Sequence, residues 1–229
     1  MTILIVAATR FEIETLLLSM KQISWQSERL AVANVLHHRV DILITGIGTM
    51  LTTYFLTKTI SHKKYDLVIN AGICGSFRKD FQIGDAVQVV SEIFGDLGIE
   101  APDSFKTLFE MNFMRPDEFP FLNSRLNNQE RHFANVNLKP ANGLTVNTTH
   151  GKIERIELLK SKFDADVESM EGAAVFYVCL TEQIPFIEIR TISNYVEPRN
   201  KENWNIPLAI KNLNVILTAI LDSNIQICK

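Results

Sequence analysis

Apolar runs typical of buried strands alternate along the chain with segments whose apolar positions have helical spacing. Thr2–Ala8 is a continuous apolar run, as expected of a strand that is covered on both faces. Phe11–Met20 then switches to helical spacing. Further strands are predicted at Val40–Thr45, Asp66–Ala71, Asp85–Ile93, Gly143–Asn147 and Phe186–Ser193, and further helices at Met50–Ile60, at Lys152–Lys162, within Asp166–Gln183 and at Ile206–Leu221. This alternation predicts an α/β fold with a largely parallel sheet.

One segment, Phe94–Gln129, breaks the alternation and is rich in Phe, Asn, Pro and Asp. We interpret it as an inserted lid or interface segment, with a short helix capped near Asp103 and Ser104. A length of 229 residues suits one domain that carries such an insertion. We therefore treat residues 1–229 as a single domain.

Composition narrows the classes of partner. A formal net charge of -3 gives no electrostatic footprint for nucleic acid or an anionic membrane, so we expect neither partner. No apolar run reaches the roughly 20 residues that span a bilayer, and the N-terminal segment lacks the features of a signal peptide. Cys74, Cys179 and Cys228 are scattered, and the histidines form no ligand pattern. We predict a cytoplasmic protein without a bound metal or cofactor.

Candidate site residues are those that directly follow strands. In a parallel sheet the ligand crevice lies at the carboxyl ends of the strands. The segments at those ends are Thr9–Glu12, Gly46–Gly48, Asn70–Gly75, Asn147–Gly151 and Ser193–Glu197.

Each candidate residue, including Glu171 outside these segments, has a structural and a functional interpretation. Glu12 at the start of a helix either complements the helix dipole or acts as a general base. Gly46 and Gly48 form half of a dinucleotide-binding fingerprint, but Leu51 replaces the third glycine. Glu171 beside small residues either completes a helix start or accepts two hydrogen bonds from a vicinal diol. Asn194 either makes a turn or offers an amide that donates and accepts.

Taken in order, these elements resemble the purine nucleoside phosphorylase and nucleosidase superfamily. The series is Glu12 after the first strand, GIG after the second, NAGxCG after the third, MEGAA on a helix and RTISN after a strand. The resemblance covers nearly the whole chain apart from the inserted segment. It implies a three-layer α/β/α sandwich with a central mixed, largely parallel twisted sheet, as in the nucleoside phosphorylases. It also implies a purine nucleoside as the substrate and a homodimer or higher homo-oligomer.

The same resemblance implies roles for individual residues. Glu12 matches the carboxylate that activates the attacking water, and Met170 and Glu171 match the pair that holds the ribose. Asn194 falls where the nucleosidases place an aspartate that protonates purine N7. Trp204 matches an aromatic residue that closes over the base. The remaining implied substrate-binding positions are His150 and Gly151 near the base edge, and Gly72 and Ile73 on the turn after the third strand.

Two departures from the superfamily pattern refine the expected reaction. Asn70 and Ile73 stand where the phosphorylases carry an arginine and a serine for phosphate, so water is the expected nucleophile. Asn194 in place of aspartate suits a 6-oxopurine such as hypoxanthine better than adenine. These departures, with the Ser193–Trp204 stretch, resemble the futalosine hydrolase family. That family cleaves futalosine to hypoxanthine and dehypoxanthinyl futalosine in menaquinone biosynthesis.

Three other functions stay open at this point. A methylthioadenosine/S-adenosylhomocysteine nucleosidase is disfavoured by Asn194, and a phosphorylase is disfavoured by Asn70 and Ile73. A non-enzymatic nucleotide-binding module is disfavoured by the missing third glycine after Gly46 and Gly48.

Overall fold

A computed structural model describes residues 1–101, 104–128, 136–198 and 200–223 of the chain. The strands in that part are β1 Thr2–Ala7, β2 Ser24–Trp25, β3 Leu30–Val35, β4 His38–Ile44, β5 Leu67–Ser76, β6 Ala86–Phe94, β7 Gly98–Ala101, β8 Ser104–Thr107, β9 Leu126–Asn127, β10 Lys139–Thr145, β11 Val167–Ser169 and β12 Phe186–Tyr195. The α-helices there are α1 Arg10–Ser19, α2 Thr49–His62, α3 Ile153–Lys162, α4 Gly172–Thr181 and α5 Ile206–Leu221. None of the helices in the described residues is long and apolar enough to cross a membrane.

The main sheet is mixed, with a parallel centre. Its strand order is β11-β10-β6-β12-β5-β1-β4-β3-β2, and β9 adds to β6. The pairs β12–β5, β5–β1 and β1–β4 are parallel, whereas β6–β12, β4–β3 and β3–β2 are antiparallel. The sequence analysis missed β2 and β3, which form an antiparallel edge next to β4. Because β2 is only two residues long and exposed, its apolar pattern is too short to detect.

One end of the sheet closes on itself. Strand β11 is parallel to β10 on one side and pairs antiparallel with β5 on the other. The ring β11-β10-β6-β12-β5 results. The structure therefore confirms a mixed α/β fold with a sheet, and this sheet is closed at one end, a feature that the expected three-layer sandwich did not include. Strand β11 was not predicted because it has only three residues and lies at the start of the Asp166–Gln183 segment, within which we predicted only a helix.

Alternate residues of the central strands face two apolar cores. On β1, Ile3 and Ile5 join the core that contains α1 and α5, while Leu4 and Val6 join the core that contains α2 and α4. Residues of one strand point alternately to opposite faces, so a continuous apolar run is the pattern expected of a strand covered on both sides. Helices consequently pack on both faces of the central sheet, and the strand ends between them remain accessible.

The inserted segment Phe94–Gln129 is more structured than we predicted. It contains the hairpin β7–β8 and strand β9, and its Phe121 and Leu126 are buried in a main core. The short helix expected near Asp103 and Ser104 is wrong at Ser104, which begins strand β8. Asp103 lies outside the described residues. The segment therefore contributes to the core in addition to any function as a lid.

Candidate active site

A cavity of about 460 Å³ opens where β1, β5 and β12 end. Its walls come from the start of α1, the turn after β4, the ends of β5, β11 and β12, and the segment that precedes α5. The lining residues used below are Thr9, Glu12, Ile73, Cys74, Gly75, His150, Glu168, Met170, Glu171, Ser193, Asn194 and Trp204. The position agrees with the expectation that ligands bind at the carboxyl ends of parallel strands.

The structure brings most of the predicted site residues together. Those that line the cavity are Glu12, Ile73, His150, Met170, Glu171, Asn194 and Trp204. Gly151 instead lines a neighbouring cavity of about 870 Å³, which shares Thr149 and His150 with the first. Gly72 lies behind the wall, where a methyl group would overlap Arg190 and lie 3.0 Å from Glu12 Oε1. Gly72 therefore permits the packing of side chains beneath the cavity.

Glu12 is fixed by the start of its own helix. Thr9 is the N-cap of α1, and its backbone N–H and hydroxyl donate to Glu12 Oε2 at 2.9 and 3.0 Å. The Ile73 N–H donates to the other oxygen, Oε1, at 3.2 Å. This is a capping box, so the structural interpretation of Glu12 holds. The carboxylate also faces the cavity with little freedom to rotate, which is what a positioned base needs.

Glu171 is the N-cap of α4 and reaches across the cavity floor to the turn after β4. The Gly48 N–H donates to its Oε1 at 3.0 Å, and Arg190 Nη1 lies 3.8 Å from its Oε2. Gly48 has a φ of 95°, which favours glycine and lets the backbone approach this carboxylate. Burial raises the pKa of Glu171, while Arg190 and the Gly48 N–H oppose that shift.

The sequence analysis missed a buried charged pair beneath the site. Arg190 is 1% exposed, and its Nε donates to Glu188 Oε1 at 2.7 Å. Burial alone would lower the pKa of Arg190, but Glu188 and Glu171 outweigh it and hold that pKa above the usual value. Glu188 and Arg190 are the two charged residues of a strand whose first residues are otherwise apolar, Phe186–Ile189. Because buried charges need partners, these two residues were the available signal in the sequence.

A second missed carboxyl group, Glu92, lies beside this pair. Glu92 is fully buried and accepts from the Thr145 hydroxyl at 2.8 Å. A methyl group at Gly172 would overlap Glu92 Oε1 and lie 2.7 Å from Glu188 Oε1. Burial and the neighbouring Glu188 raise the pKa of Glu92 well above its usual value.

The amide of Asn194 has a defined orientation in the cavity. The register of β12 against β5 shifts between Ile192 and Asn194, and such a β-bulge redirects the side chains that follow it. Ser193 Oγ lies 2.8 Å from Asn194 Oδ1, and Asn194 Nδ2 donates to the Tyr195 carbonyl at 2.9 Å. The second hydrogen on Nδ2 is therefore available to a ligand acceptor.

Three further titratable groups line the cavity. Burial raises the pKa of Glu168 to about 7, with repulsion from Asp96 as a smaller cause. Burial lowers the pKa of His150, which keeps its imidazole neutral at pH 7. Burial also raises the pKa of Cys74, so this thiol is a poor nucleophile, as its sequence context indicated.

The loop after β10 is anchored to both sides of the cavity. Asn147 Oδ1 accepts from the Thr49 N–H at 3.1 Å and from the Thr49 hydroxyl at 2.7 Å. The Asn147 N–H donates to Asp96. These contacts hold His150, three residues further on, at the cavity wall. Within the described residues no group of three or more His, Cys, Asp or Glu side chains is arranged to hold a metal ion.

This arrangement places the buried carboxyl groups of Glu12 and Glu171 and the amide of Asn194 around one cavity. Glu12 can take a proton from water, Glu171 can accept from two hydroxyls, and Asn194 can donate to a ring nitrogen or a carbonyl oxygen. Met170 and Trp204 supply apolar walls for flat or ring-shaped groups.

Known proteins are similar to this chain in sequence and in fold. The chain is 30% identical over 179 residues to futalosine hydrolase of Streptomyces coelicolor, covering 76% of this chain and 74% of that protein. It is 28% identical over 183 residues to 5'-methylthioadenosine nucleosidase of Arabidopsis thaliana, covering 77% of this chain and 61% of that protein. The solved futalosine hydrolase of Helicobacter pylori superposes with a TM-score of 0.78 at 20% identity, covering 96% of this chain and 97% of the other.

A family model described as the phosphorylase superfamily matches residues 2–222. The match spans every strand and helix that lines the cavity. This chain therefore belongs to the phosphorylase superfamily.

Proposed function

We propose that this protein hydrolyses the N-glycosidic bond of futalosine and releases hypoxanthine and dehypoxanthinyl futalosine. The observation that carries the proposal is that Glu12, Glu171 and Asn194 line one cavity. The general reaction, hydrolysis of a nucleoside, is supported by the names of two similar proteins, a futalosine hydrolase and a 5'-methylthioadenosine nucleosidase. The choice of futalosine as the substrate rests on Asn194 and on the futalosine hydrolases among the relatives.

In this mechanism Glu12 is the general base. Cleavage of the glycosidic bond builds positive charge on the ribose and negative charge on the departing purine. Glu12 accepts a proton from water as the water attacks the anomeric carbon. Its two oxygens are already oriented by Thr9 and Ile73, so little reorganisation accompanies the proton transfer.

Glu171 binds the ribose through its 2′- and 3′-hydroxyls. An ionised carboxylate accepts hydrogen bonds only, so it suits a vicinal diol that donates two. The Gly48 N–H and Arg190 keep this carboxylate in place and oppose the rise in its pKa that burial causes. Met170 packs against the sugar and Trp204 against the base.

The charge beneath the cavity favours water over phosphate as the nucleophile. Ile73 lines the cavity without any charge, and Asn70 is buried and absent from the cavity lining. Arg190 is the cation nearest to Glu171, and Glu188 already pairs with it. A phosphate dianion would therefore meet Glu12 and Glu171, and no lysine or arginine is among the described residues that line the cavity to offset the repulsion.

Asn194 carries the preference for a 6-oxopurine. The free hydrogen on Nδ2 can donate to purine N7 or to the 6-oxo group, and an amide has no acidic proton to give to N7. The departing anion is then stabilised by hydrogen bonding. Adenine as the leaving group would be stabilised more by the aspartate that the nucleosidases of this superfamily carry, because that aspartate can protonate N7.

The second candidate is a 5'-methylthioadenosine nucleosidase, which the 28% identity to the Arabidopsis protein favours. A panel of futalosine, its 6-amino counterpart, methylthioadenosine and inosine separates the candidates when released base is measured without phosphate. We expect futalosine to have the highest kcat/KM. A higher kcat/KM for methylthioadenosine would replace the first candidate with the second.

The predicted homodimer or higher homo-oligomer is a separate proposal. Phe11 and Ile47, which line the cavity, are 61% and 55% exposed, and Met50 close to Ile47 is 76% exposed. A second copy of the chain that covers these side chains would remove apolar surface from water. Sedimentation analysis of the purified protein checks this, and a monomer at all concentrations used in the assay would contradict it.

A further inference from the structure

Glu168 and Asn194 stand on either side of Gly75 in one row of the closed part of the sheet. Glu168 on β11 is in register with Gly75 on β5, and Asn194 on β12 is in register with the same glycine. Adjacent strands are about 4.8 Å apart, so the two backbones are separated by roughly 10 Å. Gly75 has no side chain, so the side chains of Val196 and Asn194 pack against it, where a Cβ would lie 2.9 Å from Val196 Cγ2 and 3.2 Å from Asn194 Nδ2.

The Glu168 side chain lines the cavity, and one of its carboxyl oxygens has no hydrogen-bond partner among the described residues. The residue is only 7% exposed, and its Oε2 is buried and unpaired within the described part of the chain. A buried, unpaired carboxyl oxygen is costly, so its presence calls for a ligand that supplies the missing contact. The mechanism above makes no use of this group.

We propose that Glu168 contacts the purine edge opposite Asn194 and, by its protonation state, sets the selectivity between a 6-oxopurine and adenine. The inference rests on the proposed function, because it assumes that the base lies in the cavity between Asn194 and Glu168. A 6-oxopurine has a hydrogen on N1, which an ionised carboxylate accepts. Adenine N1 has no hydrogen, so it requires the protonated carboxyl group as a donor.

The groups that face Glu168 allow it to change state near neutral pH. Asp96 follows β6 and adds negative charge, Cys74 on β5 keeps a neutral thiol, and His150 in the loop after β10 keeps a neutral imidazole. The carboxylates Glu12 and Glu171 lie in the same cavity. No cation among these groups holds Glu168 ionised, and its pKa is raised to about 7.

Binding of free bases tests this without any chemical step. Affinities for hypoxanthine and adenine are measured by calorimetry at about pH 5.5 and about pH 8 with the whole protein. For the wild type we expect the ratio of hypoxanthine to adenine affinity to increase at least about tenfold over this interval. For Glu168→Gln the ratio should stay constant with pH. Glu182→Gln, at an exposed position that ends α4, is the matched control and should follow the wild type.

The outcomes separate this inference from the proposed function. A wild-type ratio that stays constant with pH, or a Glu168→Gln ratio that follows the wild type, overturns the role of Glu168 even if futalosine is hydrolysed. A ratio that depends on pH only when Glu168 is present supports the role even if futalosine is not the substrate. If Glu168→Gln fails to fold, the wild-type ratio still decides, because a constant ratio contradicts the proposal.

Discussion

Arg190 Nε donates to Glu188 Oε1 at 2.7 Å, and both side chains are almost completely inaccessible to solvent. The two residues are on the same strand, β12, with one residue between them, so they point to the same face of the sheet. Arg190 also lies 3.8 Å from Glu171, which lines the cavity. The pair thus connects the interior of the sheet to the proposed ribose-binding carboxylate.

Removing one member of this pair should destabilise the protein strongly. Glu188→Ala leaves the Arg190 guanidinium buried with weaker compensation, and breaking a buried ion pair in this way costs about 3–5 kcal/mol. Urea unfolding of the variant and of the exposed control Glu182→Ala measures the difference. A loss below about 1 kcal/mol in the free energy of unfolding would show that the pair is not a major support of the site.

The position of the cavity could be predicted from the sequence, but the buried pair of Glu188 and Arg190 beneath it could not. Strand ends could be inferred from apolar runs, and Glu12 and Asn194 follow such ends, so their convergence was predictable. Glu171 was instead singled out by its small neighbours and by the family resemblance. Glu188 and Arg190 lie inside a strand, where pattern alone does not say which face a charge occupies or what pairs with it. Their partner Glu171 is far away in sequence, and only the fold brings them together.

The closed ring of strands could not be predicted from the sequence for a similar reason. Strand β11 has three residues, which is too few for a periodic pattern, and its partners β5 and β10 lie elsewhere in the chain. The helix predicted within Asp166–Gln183 does form, but as α4 it begins only at Gly172. Strand β11, which contains Glu168, was not predicted, and the place of Glu168 in the cavity wall was therefore missed.

Glu12→Gln should reduce kcat by about 10²–10⁴-fold, the range typical of losing a general base. Glutamine can still complete the capping box with Thr9, so the free energy of unfolding should change little. The measurement is turnover of futalosine at saturating concentration. Glu14→Gln, at an exposed position on the same helix, is the matched control. Unimpaired turnover by Glu12→Gln with substrate bound would exclude the base role.

Asn194→Asp should shift base selectivity towards adenine. A carboxyl group that carries a proton can give it to N7, whereas the present amide can only donate a hydrogen bond. The readout is the ratio of kcat/KM for futalosine to that for its 6-amino counterpart, and we expect it to fall about tenfold or more. The same ratio in the variant and the wild type would refute the proposed reason for the base choice.

Glu168 should give the stability of the protein a characteristic pH dependence. Its pKa is raised from 4.5 to about 7 by burial, so the folded state binds this proton more tightly than the unfolded state. The resulting stabilisation is fully present below about pH 4.5 and is lost as the pH rises through about 7, a change of up to about 3 kcal/mol.

Glu168→Gln cannot make this transition, so its stability relative to the wild type should increase between about pH 5 and about pH 8. Urea unfolding at both pH values gives the two differences, and comparison with the wild type cancels the titration of all other groups. Equal differences at the two pH values would mean that the pKa of Glu168 is not raised in the folded protein.

The most direct test of the account is to incubate the purified protein with futalosine, with and without phosphate, and to identify both products. The account predicts hypoxanthine and dehypoxanthinyl futalosine, formed at the same rate under both conditions. Release of hypoxanthine only in the presence of phosphate, together with a sugar 1-phosphate, would contradict water as the nucleophile. No release from futalosine alongside cleavage of methylthioadenosine would contradict the proposed substrate.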